Sequence, residues 1–185
     1  IKNLPELIEK VIKPNNITDI FIHTWYDKTL DNIPFDSAQP QKSNNLGVWM
    51  PNSDVFLKDN LRPKKIICEI PKEFSEISHL EDLPTAIQKK LCSNFYSVWK
   101  SNELKKEYEI ENNIKFDVVI KTRVDLKYYE TVIIQNLIDH DLDKSIYVPY
   151  MHQEMRQNDS YPISGGGSYG SLSDTFAIGN SNNID

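Results

Sequence analysis

Apolar and polar positions in the first half of the chain alternate between helical and strand-like spacing. The segment LPELIEKVIK, residues 4–13, repeats apolar side chains at helical intervals and is followed by a Pro-Asn-Asn stop, so it predicts a helix. TDIFIHTWY, residues 18–26, is rich in β-branched and aromatic residues and predicts a buried strand. KKIICEI, residues 64–70, predicts a second one. Residues 27–62 are irregular, and a loop of that length in a compact domain is usually functional or mobile.

The second half continues the alternation of helix and strand. A long amphipathic helix is predicted over residues 85–108, with one apolar face formed by Ile87, Leu91, Phe95, Val98 and Trp99. FDVVI, SIYVPY and TFAIGN are predicted strands, TVIIQNLI fits either a helix or a strand, and SGGGSYGSLSD predicts a loop.

This order of elements predicts an α/β sandwich with a mostly parallel sheet. The 185 residues suit one domain, residues 1–185, with a substantial core. The chain opens with Ile1 rather than Met, which is compatible with a fragment that lacks an N-terminal strand and C-terminal elements.

Composition and charge narrow the class of protein. The net charge of −6 is spread along the chain, which argues against a nucleic-acid surface. Cys68 and Cys92 lack CxxC spacing, so we expect two small core residues in a reducing compartment. No apolar run approaches the roughly 20 residues that span a bilayer, so the sequence predicts a soluble cytoplasmic protein, peripheral to a membrane at most.

Candidate functional residues are the polar side chains at strand ends, because ligands bind outside the carboxyl ends of strands in open α/β sheets. His23 and Trp25 end the first strand, Arg123 and Asp125 follow the FDVVI strand, and Asp174 precedes the last strand.

Arg123 and Asp125 combine one fixed cation with one carboxylate. The guanidinium suits a phosphate, and the carboxylate suits a divalent metal ion such as Mn²⁺ or Mg²⁺. A nucleoside diphosphate needs both kinds of group. The alternative interpretation is a salt bridge that closes a strand.

His23 and Trp25 offer an imidazole and an indole that could stack on a base or bind a ribose, or that could simply be packed core residues. Asp174, at the edge of a strand, could act as a base or accept a bond from a sugar hydroxyl. Lys100 lies in a polar stripe of the long helix and is a candidate for phosphate contact, although most such stripes are only solvated.

Several segments, taken in order, resemble those of a glycosyltransferase family. DIFIHTWYD, NFYSVWKSNELKKEYE, FDVVIKTRVDL, IYVPY and SDTFAIGNS look like the blocks of nucleotide-sugar-dependent enzymes of the GT-A type, which are associated with surface polysaccharide biosynthesis and with glycans of large DNA viruses. The resemblance runs from about Thr18 to Ser181 and leaves residues 28–64 uncovered.

The resemblance implies a GT-A-like, Rossmann-type three-layer sandwich, with a nucleoside diphosphate sugar as donor and a glycan or glycoconjugate as acceptor. TRVD resembles the segment that carries the DxD motif, so Asp125 would bind the metal, and Arg123 stands where a first carboxylate is usual. Asp174 and Arg123 would be catalytic, while His23, Trp25, Arg123 and Lys100 would bind the nucleotide.

Two other classes of protein stay open on the sequence. A metal-dependent nucleotidyltransferase would need a further acidic ligand near Asp125, and the closest downstream one is Glu130. A non-catalytic carbohydrate-binding domain would use Trp25, Trp49, Tyr128 and Tyr129 as stacking platforms.

Overall fold

The protein is a mixture of helices and short strands. The computed structural model describes residues 3–32, 34–35, 47–48, 50–74, 85–135, 142, 145–148 and 176–184. The chain forms two compact units, which we call the central unit, Thr18–Asn113, and the terminal unit, Ile1–Ile17 with Ile114–Asp185. The single domain predicted for residues 1–185 stays a prediction.

The central unit is built on one parallel pair of strands. The pair joins β1, Phe21–Trp25, to β4, Lys65–Glu69, with Trp25 opposite Glu69 in the register. Both strands were predicted and are confirmed. The unit also contains a short antiparallel pair, β2 and β3, and two helices, α2 and α3; the bounds of these elements are Pro34–Phe35, Gly47–Val48, Ser53–Leu61 and Thr85–Asn112.

The long helix α3 confirms the predicted helix and extends it to Asn112, after which Asn113 adopts a left-handed conformation. The ring of Tyr108 contacts Phe21, at the start of β1, and the ring of Tyr96 contacts Trp25, at its end. The helix therefore runs antiparallel to β1 and covers the face that carries Phe21, His23 and Trp25.

The predicted apolar face of α3 is wrong at two positions. The side chains of Phe95 and Trp99 are 64% and 50% exposed. The helix is rotated so that Tyr96 and Tyr108, rather than Phe95, meet the aromatic side chains of β1. Aromatic residues on both elements thus determine which side of the helix is packed.

The terminal unit begins with the predicted N-terminal helix, which starts as α1, Leu4–Leu7. It continues as a wider π-helical turn, Ile8–Ile12, and a 3-10 turn, Lys13–Asn15. Leu4, Leu7 and Val11 are buried.

Polar side chains of this helical segment bind a backbone segment that follows Asp125. Glu6 accepts a hydrogen bond from the backbone N–H of Tyr128, and the Lys10 ammonium donates to the carbonyl of Tyr128 at 2.6 Å. These contacts join the N-terminal helix to residues far along the chain.

The described strands of the terminal unit are antiparallel. The pair joins β5, Val119–Lys121, to β6, Ala177–Gly179, and Tyr147 forms an isolated bridge with Ile178. These strands fall within FDVVIK and TFAIGN, whereas SIYVPY contributes one bridge in its described part. Among the described strands only β1 and β4 pair in parallel, so the mixture of helices and strands is confirmed and the three-layer sandwich with a mostly parallel sheet stays a prediction.

Candidate functional site

A cluster of aromatic and charged side chains lies at the carboxyl end of the parallel pair in the central unit. Trp25 and Glu69 are the last residues of β1 and β4, and they stand opposite each other. Parallel strands bring their carboxyl ends to one edge of the sheet, where α/β proteins commonly bind ligands. We call the group the strand-end cluster; its members are His23, Trp25, Glu69, Lys72, Phe74, Tyr96, Trp99 and Lys100.

His23 is the most enclosed polar member of the cluster. Its side chain has 0% exposure, and among the described residues neither ring nitrogen has a hydrogen-bond partner. Nε2 lies 3.7 Å from Oε2 of Glu69, which is too far for a hydrogen bond. Burial lowers the pKa of His23 below its usual 6.5; Glu69 acts in the opposite direction, while Lys100 and Lys72 lower it further. The ring is therefore neutral at pH 7.

Trp25 also has a buried ring nitrogen without a hydrogen-bond partner among the described residues. Its ring stacks on that of Tyr96, with centroids 5.2 Å apart and planes at 21°, and meets the ring of His23 edge-on at 4.7 Å. Indole Nε1 is buried and has no hydrogen-bond partner in the described part of the chain. Two neighbouring side chains on one face of β1 thus hold buried polar atoms that no described residue binds.

Glu69, Lys72 and Tyr96 form a closed set of polar contacts beside these rings. The Tyr96 hydroxyl donates to Oε2 of Glu69 at 2.9 Å, and the Lys72 ammonium donates to that hydroxyl at 2.5 Å and pairs with Glu69 at 3.0 Å. The bond from Lys72 lowers the pKa of Glu69, and the bond to Tyr96 raises the pKa of Lys72. Both groups are charged at neutral pH.

Lys100 adds a second ammonium group to the cluster. It lies 4.7 Å from the ring centroid of Trp99 and 5.8 Å from that of Tyr96. Among the described residues, no carboxylate lies within ion-pair distance of it. The cluster therefore combines stacked rings, two cations and one carboxylate, a set that suits a ligand with a planar ring and negative charge.

Arg123 and Asp125 lie together in the terminal unit, just after β5. Arg123 Nε donates to Oδ1 of Asp125 at 2.9 Å, and Arg123 Nη2 donates to Oδ2 at 2.6 Å. Partial burial would raise the pKa of Asp125, but the guanidinium outweighs it and the pKa lies below its usual range. The two side chains are 47% and 53% exposed, and here they form the strand-end salt bridge that the sequence left open as the alternative.

A metal role for Asp125 is not supported by this arrangement. Both carboxylate oxygens are engaged by Arg123, and the described residues contain no group of three His, Cys, Asp or Glu side chains that could hold a metal ion. The predicted role of Asp125 as a ligand of Mn²⁺ or Mg²⁺ therefore stays a prediction from the sequence.

The sequence-predicted residues thus fall in three places. His23, Trp25 and Lys100 come together in the strand-end cluster, and Arg123 and Asp125 pair with each other. Asp174 and the SGGGSYGSLSD loop lie outside the described residues.

The other polar members of the cluster, Glu69, Lys72 and Tyr96, were not predicted as site residues. Glu69 could have been predicted, because it ends a predicted strand as Trp25 does. Tyr96 lies on the long helix and Lys72 follows β4, and neither carries a local signal of a site in the sequence.

The proposed stacking platforms can be compared with the structure. Tyr128 is buried, with 8% exposure, its hydroxyl bonded to Thr122 and its ring against Phe176, so it offers no open face. Tyr129 is 69% exposed, and Trp49 lies outside the described residues.

Comparisons with known proteins do not identify a family. No family model matches the chain, and no curated protein or solved structure does so either. In the part of the chain that the structure describes, no helix is both long and apolar enough to cross a bilayer.

Proposed function

We propose that this chain is a glycosyltransferase domain of GT-A-like fold that moves a sugar from a nucleoside diphosphate sugar to a hydroxyl of a glycan or glycoconjugate. The strand-end cluster would bind the nucleotide, with His23 and Trp25 beside the nucleoside and Lys100 beside the phosphates. The proposal rests on the ordered sequence blocks and on one structural observation at the carboxyl end of the parallel strand pair: the ring nitrogens of His23 and Trp25 are buried and have no hydrogen-bond partner among the described residues.

This observation supports the proposal because polar atoms are rarely buried without partners. A buried group left without a hydrogen bond costs about 1–3 kcal/mol, and such groups in native proteins often mark functional positions. A ligand that binds the imidazole or the indole would recover part of that energy. A nucleoside offers hydroxyl and carbonyl groups for this purpose, together with a flat base for the neighbouring rings.

The proposed reaction forms one bond and breaks another at the anomeric carbon of the sugar. The acceptor hydroxyl oxygen forms a bond to the anomeric carbon while the bond from that carbon to the diphosphate oxygen breaks. The bonding pair leaves with the nucleoside diphosphate, and the hydroxyl proton passes to a base. Asp174 is the predicted base and Arg123 the predicted partner of the negative charge; both roles remain predictions from sequence.

A second candidate function is a non-catalytic carbohydrate-binding domain. The observation in its favour is the exposure of Phe95 and Trp99, one helical turn apart on α3. Exposed aromatic faces are common platforms for sugar rings, and this function needs neither a nucleotide nor catalysis.

Calorimetry with uridine, guanosine, cytidine and thymidine diphosphates, with and without Mn²⁺, tests the proposal. A parallel assay would measure donor hydrolysis and sugar transfer across a panel of nucleotide sugars. We expect one nucleoside diphosphate to bind preferentially and its sugar conjugate to be hydrolysed or transferred. Binding of glycans without any nucleotide binding would favour the carbohydrate-binding alternative.

The same assay tests the predicted metal ligand with the variant Asp125→Ala. If activity depends on Mn²⁺ and the variant keeps full metal-dependent activity, the role predicted for Asp125 is wrong. Lys58→Met, in which the altered residue pairs with Asp54 on α2, serves as a control for an unrelated change of charge.

A further inference from the structure

We infer that Lys72 and Lys100 together bind the phosphate groups of the ligand, and that Glu69 exchanges its bond with Lys72 for one with His23 when they do so. The inference rests on the proposed function and names groups within the same cluster. Lys72 and Glu69 had no role in the sequence prediction. The placement of the two ammonium groups and the geometry around Glu69 support both parts.

Both ammonium groups lie against one aromatic ring. Lys72 Nζ is 4.5 Å from the ring centroid of Tyr96, and Lys100 Nζ is 5.8 Å from the same centroid. Lysine carries its charge on a flexible four-carbon stem, so a single extended anion beside Tyr96 can reach both groups. Two cations at one ring suit a diphosphate better than an anion with a single charge.

Lys100 and Lys72 act electrostatically on the buried imidazole of His23. After burial, which is the main cause, Lys100 and Lys72 both lower the pKa of His23. An anion that neutralises the two lysines would offset this effect on the pKa of His23.

Lys72 is paired with Glu69, and a phosphate can replace this carboxylate as its partner. Its ammonium donates to the Tyr96 hydroxyl and pairs with Glu69 at 3.0 Å, and these contacts use two of its three N–H groups. A doubly charged phosphate competes with one partly exposed carboxylate for this cation. When Lys72 turns to the phosphate, Glu69 loses one donor and keeps the Tyr96 hydroxyl, so its carboxylate can accept a further bond.

His23 stands close enough to Glu69 to serve as the replacement donor. Nε2 stands 3.7 Å from Oε2 of Glu69, so a movement of less than about 1 Å gives a normal hydrogen bond. The exchange gives the carboxylate a donor and gives one buried nitrogen of His23 a partner. Anion binding and the hydrogen bonding of His23 are then coupled through Glu69.

Titration calorimetry of the full chain tests the two lysines with three probes: inorganic pyrophosphate, the preferred nucleoside diphosphate and the matching nucleoside. The variants are Lys72→Met, Lys100→Met and the double substitution, with Lys58→Met as the control of equal charge change. We expect each single variant to weaken diphosphate binding about tenfold and the double variant to weaken it further, since charge-assisted hydrogen bonds are the strong ones. The affinity of the lysine variants for the nucleoside should match that of the wild type. The Lys58→Met protein should bind all three probes with wild-type affinity.

The ring nitrogens of His23, followed by ¹⁵N NMR, test the exchange. Pyrophosphate should shift the His23 resonances clearly more in the wild-type protein than in Lys72→Met at matched saturation, because only the wild type can exchange the bond of Glu69. A shift of equal size in both proteins would overturn the exchange.

The results separate this inference from the proposed function. Nucleoside diphosphate binding that is equally tight in the double variant would overturn the role of the lysines and leave the glycosyltransferase proposal intact. Lysine-dependent pyrophosphate binding without hydrolysis or transfer of any nucleotide sugar would support the lysines and contradict the enzyme. Failure of the wild-type protein to bind pyrophosphate or any nucleoside diphosphate would overturn both.

Discussion

Tyr26 and His23 lie three residues apart in the central unit, and both side chains are buried. They differ in hydrogen bonding, because only Tyr26 has partners for its polar atom among the described residues. The Tyr26 hydroxyl donates to Oδ1 of Asp31 at 2.6 Å and accepts from the backbone N–H of Asn52 at 2.9 Å. The ring nitrogens of His23 have no such partners among the described residues. Tyr26 thus fastens the residue before α2 to the end of β1, which is a structural role.

The difference indicates that the ring nitrogens of His23, which lack partners among the described residues, have a role other than stabilising the fold. Buried polar groups in native proteins are nearly always hydrogen-bonded, and Tyr26 shows that this part of the chain can achieve it. An imidazole and an indole left without partners on the same face suggest that their partner comes from outside. Three experiments test whether the two positions differ in this way.

The largest effect is expected from His23→Phe. Phenylalanine keeps the aromatic packing and removes both unpartnered nitrogens, so affinity for the nucleoside diphosphate should fall about tenfold or more, while the melting temperature stays the same or rises. Calorimetry and thermal unfolding on one preparation measure both quantities.

His23→Gln is the matched control, because the amide restores a donor and an acceptor in a smaller side chain. It should recover part of the lost affinity. A large fall in melting temperature for His23→Phe, with ligand affinity unchanged, would assign His23 to the fold and remove the observation that supports the proposal.

The opposite pattern is expected from Tyr26→Phe. Loss of the hydroxyl leaves Asp31 and the N–H of Asn52 without this partner, so the melting temperature should fall by about 3–8 °C. Ligand affinity, measured well below the transition, should match the wild type. If Tyr26→Phe weakened binding as strongly as His23→Phe, the distinction between the two positions would not hold.

The smallest effect concerns pH. The pKa of His23 is lowered in the folded state by burial, against the action of Glu69, so between the lowered value and 6.5 the unfolded chain binds a proton that the folded chain does not. The contribution of His23 to the free energy of unfolding therefore has its full value above about pH 7.5. It decreases as the pH falls below 6.5, with a slope of at most about 1.4 kcal/mol per pH unit.

Urea unfolding at pH 7.5 and pH 5.5 checks this sign. The wild-type protein should lose more stability on acidification than His23→Phe does, because only the wild type carries the shifted group. Equal losses in the two proteins would mean that His23 titrates alike in the folded and unfolded states.

Local patterns in the sequence predicted the main elements of the central unit. Runs of β-branched and aromatic residues located β1 and β4, and helical spacing located α3. The rule that ligands bind at strand ends selected His23 and Trp25 and, applied to β4, would also have selected Glu69. These inferences depend on short-range periodicity, which one sequence contains.

Features that depend on rotation and pairing were not predictable in this way. Phe95 and Trp99 fit an apolar stripe by spacing, but the side of α3 that meets the strands is decided by the rings of Tyr96 and Tyr108. The contact of Lys72 with Tyr96 joins residues 24 positions apart. Likewise, spacing placed Arg123 near Asp125, but it could not show that the two groups would bind each other rather than a ligand.

The stacking of Trp25 on Tyr96 has an optical consequence. The chain contains three tryptophans, and two of them, Trp25 and Trp99, contact Tyr96. Light absorbed by the tyrosine can transfer to an adjacent indole, and indole emission depends on nearby charge and polarity. The intrinsic fluorescence of the unlabelled protein should therefore report both the opening of this cluster and the displacement of Lys100 from the face of Trp99.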